Sequence, residues 1–168
     1  MNKFDPFQLK GAEEPSTPTL FLSVQHPMTR CWAIFEENSS TAFFYLTEQE
    51  IPTPVSHCFV HNRRISDEEF PDNWEIGSSP PVPVKYANDT ALRQNLTEDQ
   101  IRIEWSATGD AAVAFIDNVP IALLILGEAH GYSRGVRAAG PYGNPWSDEA
   151  YSKRFGNLIR NRKSSSWH

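Results

Sequence analysis

Residues 101–126 read IRIEWSATGDAAVAFIDNVPIALLIL, and they carry the clearest strand pattern in the chain. Ile101–Trp105 alternates apolar and polar residues, which is typical of a half-buried strand. Two apolar runs follow, Ala111–Ile116 and Ile121–Leu126, and each is preceded by a short segment of turn-forming Gly, Asp, Asn or Pro residues. Consecutive strands joined by short turns pair in antiparallel fashion, so the stretch predicts a three-stranded β-meander.

A second antiparallel unit lies upstream of the meander. Cys31–Glu36 and Thr41–Leu46 are runs of apolar and β-branched residues that flank the polar sequence Glu-Asn-Ser-Ser, a pattern that predicts a β-hairpin. Leu20–Val24 is typical of a further short strand. Ser56–Asn62 fits a strand or one buried helical turn, and the sequence leaves both open.

The C-terminal part predicts a helix. Ser147 is a favourable N-cap, and Asp148 and Glu149 place negative charge in the first turn, where the helix dipole favours it. Apolar residues then recur at the spacing of one helix face, at Tyr151, Phe155, Leu158 and Ile159. Together these elements predict an α+β fold that is mainly antiparallel sheet, with an N-terminal hairpin, a C-terminal β-meander and a C-terminal amphipathic helix.

The length of 168 residues predicts a single domain. We place it at residues 19–163, between a flexible, proline-punctuated arm at 1–18 and a loose tail at 164–168. Within the domain, residues 63–95 form a long, charged and proline-rich loop. Such long connections are uncommon in compact domains, so we expect either a functional loop or an insertion packed on the core.

Composition and charge narrow the classes of function. The formal net charge is −6, and an acidic protein repels nucleic-acid backbones, so we expect no nucleic-acid partner. The acidity either favours a basic protein partner or serves only solubility. The sequence shows no signal peptide and no apolar stretch that approaches a membrane span, so we expect a cytoplasmic protein that does not bind membranes. Cys31 and Cys58 are then expected to be reduced core residues.

Short motifs are distributed over the hairpin and the meander. They are Ala33–Glu37, Ala42–Tyr45, His57–Asn62, Trp105-Ser106, Gly109-Asp110, Asn118 and His130–Arg134. These motifs, over about 31–62 and 100–135, resemble the small bacterial domain-of-unknown-function family 2251. The sequence departs from that family's pattern at Leu124–Gly127, where the family carries an acidic-aromatic strand end, and at Ser133, where it carries Cys. The resemblance implies a bacterial origin and assigns no function and no catalytic residue.

Glu128, His130, Tyr132 and Arg134 form the first candidate site. If this segment is extended, all four side chains alternate onto one face. A His with a carboxylate is a minimal general acid–base pair, and Arg and Tyr side chains could hold an anion. We favour a polar network at the end of a sheet over the two other interpretations, which are a binding surface and an active site.

Acidic residues of the hairpin and the long loop form the second candidate site. The candidate binding residues are Glu36, Glu37, Asp67, Glu68 and Glu69, with Trp74 as an aromatic anchor. Carboxylates on loops are often only solvated, but they are also what a protein needs to cover a basic partner.

The two histidines of the middle strand do not predict a metal site. On a strand, His57 and His61 would share one face about 13 Å apart, which is too far to bind one zinc ion. No third ligand is recognisable, so we predict no metal and no cofactor.

These observations favour a non-enzymatic protein-binding module over an enzyme. The specific form of this hypothesis is an immunity-type protein that neutralises a basic bacterial toxin, with His130, Tyr132 and Arg134 as further binding residues. The first alternative is a small acid–base or hydrolytic enzyme that uses the Glu128–Arg134 cluster. The second alternative is a small-ligand sensing domain with a pocket beneath the long loop. The sequence predicts neither the partner's identity nor the oligomeric state.

Overall fold

The computed structural model describes residues 19–51, 53–64 and 81–165, and it describes the side chains of these residues as far as Gly156. The predicted arm at 1–18 and part of the long loop, residues 65–80, lie outside the described residues. The last three residues, 166–168, also lie outside them.

The first sheet contains four antiparallel strands in chain order. They are β1 (Leu20–Gln25), β2 (Trp32–Glu37), β3 (Thr41–Thr47) and β4 (Pro54–Asn62). The predicted first strand and the hairpin of β2 and β3 are confirmed. The choice left open for Ser56–Asn62 is resolved in favour of a strand, which pairs along the whole length of β3.

The second sheet contains the predicted meander. A short 3-10 helix, Glu98–Gln100, leads into β5 (Ile101–Trp105), β6 (Ala111–Ile116), β7 (Val119–Ile125), β8 (Tyr132–Ser133) and β9 (Asn144–Pro145). The strands pair in chain order, and all pairs are antiparallel except β8 with β9. The predicted α+β class with mainly antiparallel sheet is therefore confirmed.

The turn between β6 and β7 is tighter than the sequence pattern predicts. Asp117 and Asn118 both have positive φ, 51° and 64°, as a two-residue type I′ hairpin requires. Because two residues suffice for the turn, β7 begins at Val119 and includes Pro120, which the sequence pattern places in the turn.

The two sheets share one apolar core between them. Alternate residues of each strand supply it, as the period of two in a strand requires: Ala33 and Phe35 from β2, Phe44 and Leu46 from β3, Cys58 from β4, Ala112, Ala114 and Ile116 from β6, and Ala122 and Leu124 from β7. Both cysteines are buried free thiols. The two sheets therefore pack face to face as a sandwich.

A C-terminal helix covers the other face of the second sheet. Helix α1 spans Asp148–Ser165, so it ends beyond the predicted boundary at 163. The Ser147 hydroxyl accepts a hydrogen bond from the Ala150 N–H at 3.1 Å, which confirms the predicted N-cap. Phe155 is buried against Val113 and other residues of this face.

The described part of the long loop packs on the outer face of the first sheet. Val82, Ala87 and Ala91 form a second apolar cluster with Phe43 and Phe59. The residues 81–95 are therefore an insertion packed on the core, which is one of the two predicted alternatives.

One side chain joins this insertion to β4. The buried Asn62 amide donates to the Val82 carbonyl and accepts from the Val82 N–H, both at 2.8 Å. A backbone hydrogen bond from the Asn62 N–H to the Ala91 carbonyl, also 2.8 Å, continues the attachment.

Asn62→Ala should lower the free energy of unfolding by about 2–4 kcal/mol, because it leaves a buried donor and a buried acceptor of Val82 without partners. Urea denaturation measures this loss. The matched control is Thr90→Ala, an exposed position in the same insertion, which should change the value by less than about 0.5 kcal/mol. Equal effects of the two substitutions would contradict this role of Asn62.

Candidate functional site

A buried pair of ionisable residues lies at one end of the sandwich. Glu37 ends β2, His61 lies near the end of β4, and Ala42 of β3 is the register partner of both. Because the Ala42 side chain is only a methyl group, the two long side chains can meet over it. His61 Nε2 lies 2.7 Å from Glu37 Oε2, and each side chain is only 3% exposed.

A β-bulge decides that His61 takes part in this pair. Phe43 pairs with Phe59 but Ala42 pairs with His61, so β4 has one extra residue at Val60. The bulge turns His61 toward the core, while His57, the partner of Tyr45, lies on the opposite face. The prediction that His57 and His61 share one face is therefore wrong.

Two further residues complete the surroundings of the Glu37 carboxylate. The Thr19 hydroxyl donates to Oε1 at 2.9 Å, and Arg63 Nε lies 3.8 Å from the same oxygen. The His61 carbonyl accepts from the Thr41 hydroxyl at 3.1 Å. The prediction that Glu37 belongs to an exposed acidic surface is wrong, because the register places its side chain on the inner face of the sheet, where it is paired.

The protonation of the pair follows from burial and hydrogen bonding. Burial disfavours the charged form of Glu37, but the hydrogen bonds from His61 and Thr19 and the positive charge of Arg63 outweigh it, so the pKa of this carboxyl is lowered. Burial also disfavours the imidazolium form of His61; Glu37 opposes this only in part, and the His61 pKa is lowered. The pair is therefore a neutral imidazole whose Nε2–H donates to a carboxylate.

A carboxylate and an imidazole in contact are the groups of general-base catalysis, but here they are enclosed. The His61 Nδ1 atom is buried and has no hydrogen-bond partner among the described residues. Neither side chain lines either of the two hollows described below. Within the described residues, the pair is a buried contact that joins β2 and β4 at this end of the sandwich.

The other predicted acidic residues are placed differently. Glu36 is half-buried and its Oε2 accepts from the Tyr45 hydroxyl at 3.1 Å. Asp67, Glu68, Glu69 and Trp74 lie outside the described residues.

The segment from Glu128 to Arg134 brings only two of its four polar residues, Glu128 and Tyr132, into contact. The Tyr132 hydroxyl donates to Glu128 Oε1 at 3.3 Å, whereas Arg134 lies over the Trp146 ring at 4.5 Å and donates from Nε to the Pro120 carbonyl. Strand β8 is only two residues long, and less buried and more buried residues alternate from His130 to Arg134. Arg134 is thus occupied by an aromatic ring and a backbone carbonyl.

His130 has different neighbours from the rest of its segment. Its ring packs edge-on against that of His57 at 5.2 Å, and the two residues form a parallel β-bridge. Burial lowers the pKa of His57, and the proximity of His130 adds to this effect, while a 3.0 Å contact with the Pro141 carbonyl opposes it. No hydrogen bond joins His130 to Glu128 or Arg134 in the part of the chain that the structure describes, so the predicted acid–base cluster is not assembled.

A concave surface lies at the end of the first sheet that is opposite to Glu37 and His61. We call it the large hollow; its volume is about 800 Å³. It is lined by Thr29, Cys31, Glu48, Gln49, Glu50, Ile51, Val55, Leu126, Gly127 and Ala129. These residues come from the turn after β1, the turn after β3, the start of β4 and the end of β7, so both sheets contribute.

A second, smaller hollow of about 480 Å³ shares Leu126 and Gly127 with the large hollow. Glu128 and Tyr132 line one side of it, and residues 147–154 at the start of α1 line the other. The carboxylate of Asp110 holds Arg154, another lining residue, at 3.0 Å. His130 lines neither hollow.

Neither the described residues nor comparisons with known proteins assign this chain a metal site, a membrane span or a family. Among the described residues, no group of three or more His, Cys, Asp or Glu side chains is arranged to hold a metal ion. No helix in the described ranges is sufficiently long and apolar to cross a membrane. Comparison with models of known protein families, with curated proteins and with solved structures found no match to this chain. The resemblance to the domain-of-unknown-function family stays a prediction.

The lowered pKa of His61 predicts a dependence of stability on pH. Below about pH 6.5 the unfolded His61 takes up a proton before the folded residue does, so the free energy of unfolding should fall as the pH decreases. Each histidine whose pKa is lowered in the folded protein changes the free energy of unfolding by at most about 1.4 kcal/mol per pH unit. Urea denaturation between about pH 7.5 and about pH 5 measures the slope.

His61→Gln supplies the comparison, since its amide can still donate to Glu37 but does not titrate. This variant should lose less stability than the wild-type protein over the same pH range. His57→Gln should independently reduce the slope of the free energy of unfolding against pH, because the pKa of His57 is also lowered. Equal slopes for the wild-type protein and His61→Gln would contradict the assignment of a neutral, buried imidazole.

Proposed function

We propose that this protein is a non-enzymatic binding module that docks a basic protein partner at the large hollow. The observation that supports this proposal most directly is the chemistry of the lining. Its floor is apolar, its rim carries carboxylates, and the described residues that line it include no Lys or Arg.

The floor and the rim suit a long cationic side chain. Cys31 is buried at the floor, while Ile51 is 49% exposed and extends the apolar surface outward. Glu48 and Glu50 are exposed at the rim. Lys and Arg pack their aliphatic stems on apolar surface and keep their charged heads in polar surroundings, so such a side chain would satisfy both parts of the hollow.

The charge of the whole chain supports the same class of partner. With a net charge of −6, the protein attracts basic proteins over distance and accelerates their encounter at low salt. An apolar centre inside a polar rim is also the usual composition of a protein interface. The specific form of the proposal is an immunity-type protein that neutralises a basic toxin by covering its surface.

Charge reversal at the rim tests the proposal. Tagged protein is isolated from its native host and bound proteins are identified by mass spectrometry, in parallel for the wild-type protein and for Glu48→Lys/Glu50→Lys. We expect a basic protein that binds the wild-type protein reproducibly and binds the variant at least about tenfold more weakly, equivalent to about 1.4 kcal/mol. The wild-type complex should also weaken as salt increases.

The matched control is Glu98→Lys/Asp99→Lys, which changes the net charge equally. Both residues are exposed and directly precede Gln100, whose carbonyl accepts from the Asp117 N–H at the opposite end of the second sheet from Leu126. This control should retain the partner. The proposal would be refuted by the absence of any reproducible basic partner, or by a partner that Glu48→Lys/Glu50→Lys retains at wild-type affinity.

A further inference from the structure

The sandwich has four sheet edges, and three of them are protected from pairing with another chain. The outer edge of β4 is covered by irregular segments, since the Phe59 N–H donates to the Tyr142 carbonyl at 2.8 Å. Strand β9 is only two residues long. Strand β5 carries the charged residues Arg102 and Glu104, and Arg102 Nε lies 3.0 Å from Glu104 Oε1. Coverage, shortness and charge are the usual devices that prevent edge-to-edge association.

Strand β1, the fourth edge, has none of these devices among the residues that the structure describes. Its sequence LFLSVQ contains no charge and no proline, and its six residues pair with β2 without a register shift. Within the described residues, no strand lies on its outer side. Phe21 is 37% exposed, Val24 is 38% exposed, and Ser23 between them is exposed.

The hydrogen-bond pattern shows which backbone groups of β1 face outward. The Asn38 N–H donates to the Thr41 carbonyl, so the even-numbered residues of β2 bond to β3 and the odd-numbered ones bond to β1. The His26 N–H donates to the Cys31 carbonyl, which agrees with this assignment. Through the register of β1 with β2, the N–H and C=O groups of residues 21, 23 and 25 therefore point away from the sheet.

We infer that β1 pairs with β1 of a second copy of this chain, antiparallel and about a two-fold axis at Ser23. In this register Ser23 faces Ser23, and Phe21 faces Gln25 on either side. Each of these three facing pairs exchanges two backbone hydrogen bonds, so all outward groups of both strands are used. The two first sheets then become one continuous sheet of eight strands.

Side-chain packing favours the same register. Leu22 lies on the inner face of β1 and packs on the shared core, whereas Val24, on the same face, remains partly exposed. With the axis at Ser23, Val24 of each copy lies beside Leu22 of the other, so the exposed Val24 side chain becomes covered. A cross-strand apolar pair of this kind contributes up to about 1 kcal/mol.

Electrostatics permits this contact although each chain carries net charge −6. The nearest carboxylate on a neighbouring strand is that of Glu36, which lies opposite Phe21 on β2. In the pair of copies, the two β2 strands are three strand spacings apart, about 14 Å. This separation exceeds the screening length of about 8 Å at physiological salt, so their repulsion is weak.

The test measures the mass of the full-length protein by light scattering during size-exclusion chromatography, over a series of concentrations. Because one short strand pair buries little surface, we expect a concentration-dependent equilibrium between the 19.0 kDa chain and a dimer. Ser23→Pro removes a backbone N–H that points outward and forms no hydrogen bond with β2, so the fold should persist. The dimer should be lost, because this N–H is needed for the pairing of the two β1 strands. Ser23→Thr, which keeps the N–H, should remain dimeric.

A cross-link tests the register itself. Facing residues of a hydrogen-bonded pair have Cα atoms about 5.5 Å apart, within the range that a disulfide spans. Ser23→Cys should therefore form a covalent dimer under mild oxidation, and Ser39→Cys, exposed in the β2–β3 turn, should not. A wild-type protein that stays monomeric at all concentrations would overturn the inference, as would a dimer that Ser23→Pro leaves intact. Circular dichroism verifies that the proline variant is folded.

Discussion

The apolar layer between the two sheets positions every other feature of the molecule. Residues such as Phe35 and Phe44 of the first sheet and Ile116 and Leu124 of the second are almost fully buried in it. Burial of a side chain of this size contributes about 1.5–3 kcal/mol, and substitutions that leave cavities in such a layer cost more. Because the sheets are fixed face to face, their two ends, their edges and their outer faces acquire defined and different surroundings.

The two ends of the sandwich illustrate this difference. At one end the layer closes with a polar contact, in which Glu37 and His61 satisfy each other where water is excluded. At the other end the strands diverge into turns and leave the large hollow, where Glu48 and Glu50 remain in solvent. Carboxylates of the same chain thus act as a structural hydrogen-bond acceptor at one end and as surface charge at the other, and burial alone separates the two roles.

The outer faces and edges of the two sheets also differ in how far other segments cover them. Helix α1 covers one outer face and the inserted residues 81–95 cover part of the other, where Asn62 fixes the insertion to β4. The same irregular segments cover the outer edge of β4. No comparable cover reaches β1 among the described residues, although Trp105 donates to the Val24 carbonyl at 3.0 Å and holds the end of this strand against the second sheet. The exposed edge is therefore held in a defined conformation.

The strands of the hairpin and the meander and the N-cap of α1 at Ser147 could be predicted from the sequence, because period-two alternation, turn residues and capping act between neighbours in the chain. Tertiary structure alone decided the contact of Glu37 with His61, since it depends on a bulge at Val60 and on a small residue at Ala42. The large hollow likewise combines three separate connections, β1–β2, β3–β4 and β7–β8. Such features require the register between strands distant in sequence, and a local pattern carries no information about that register.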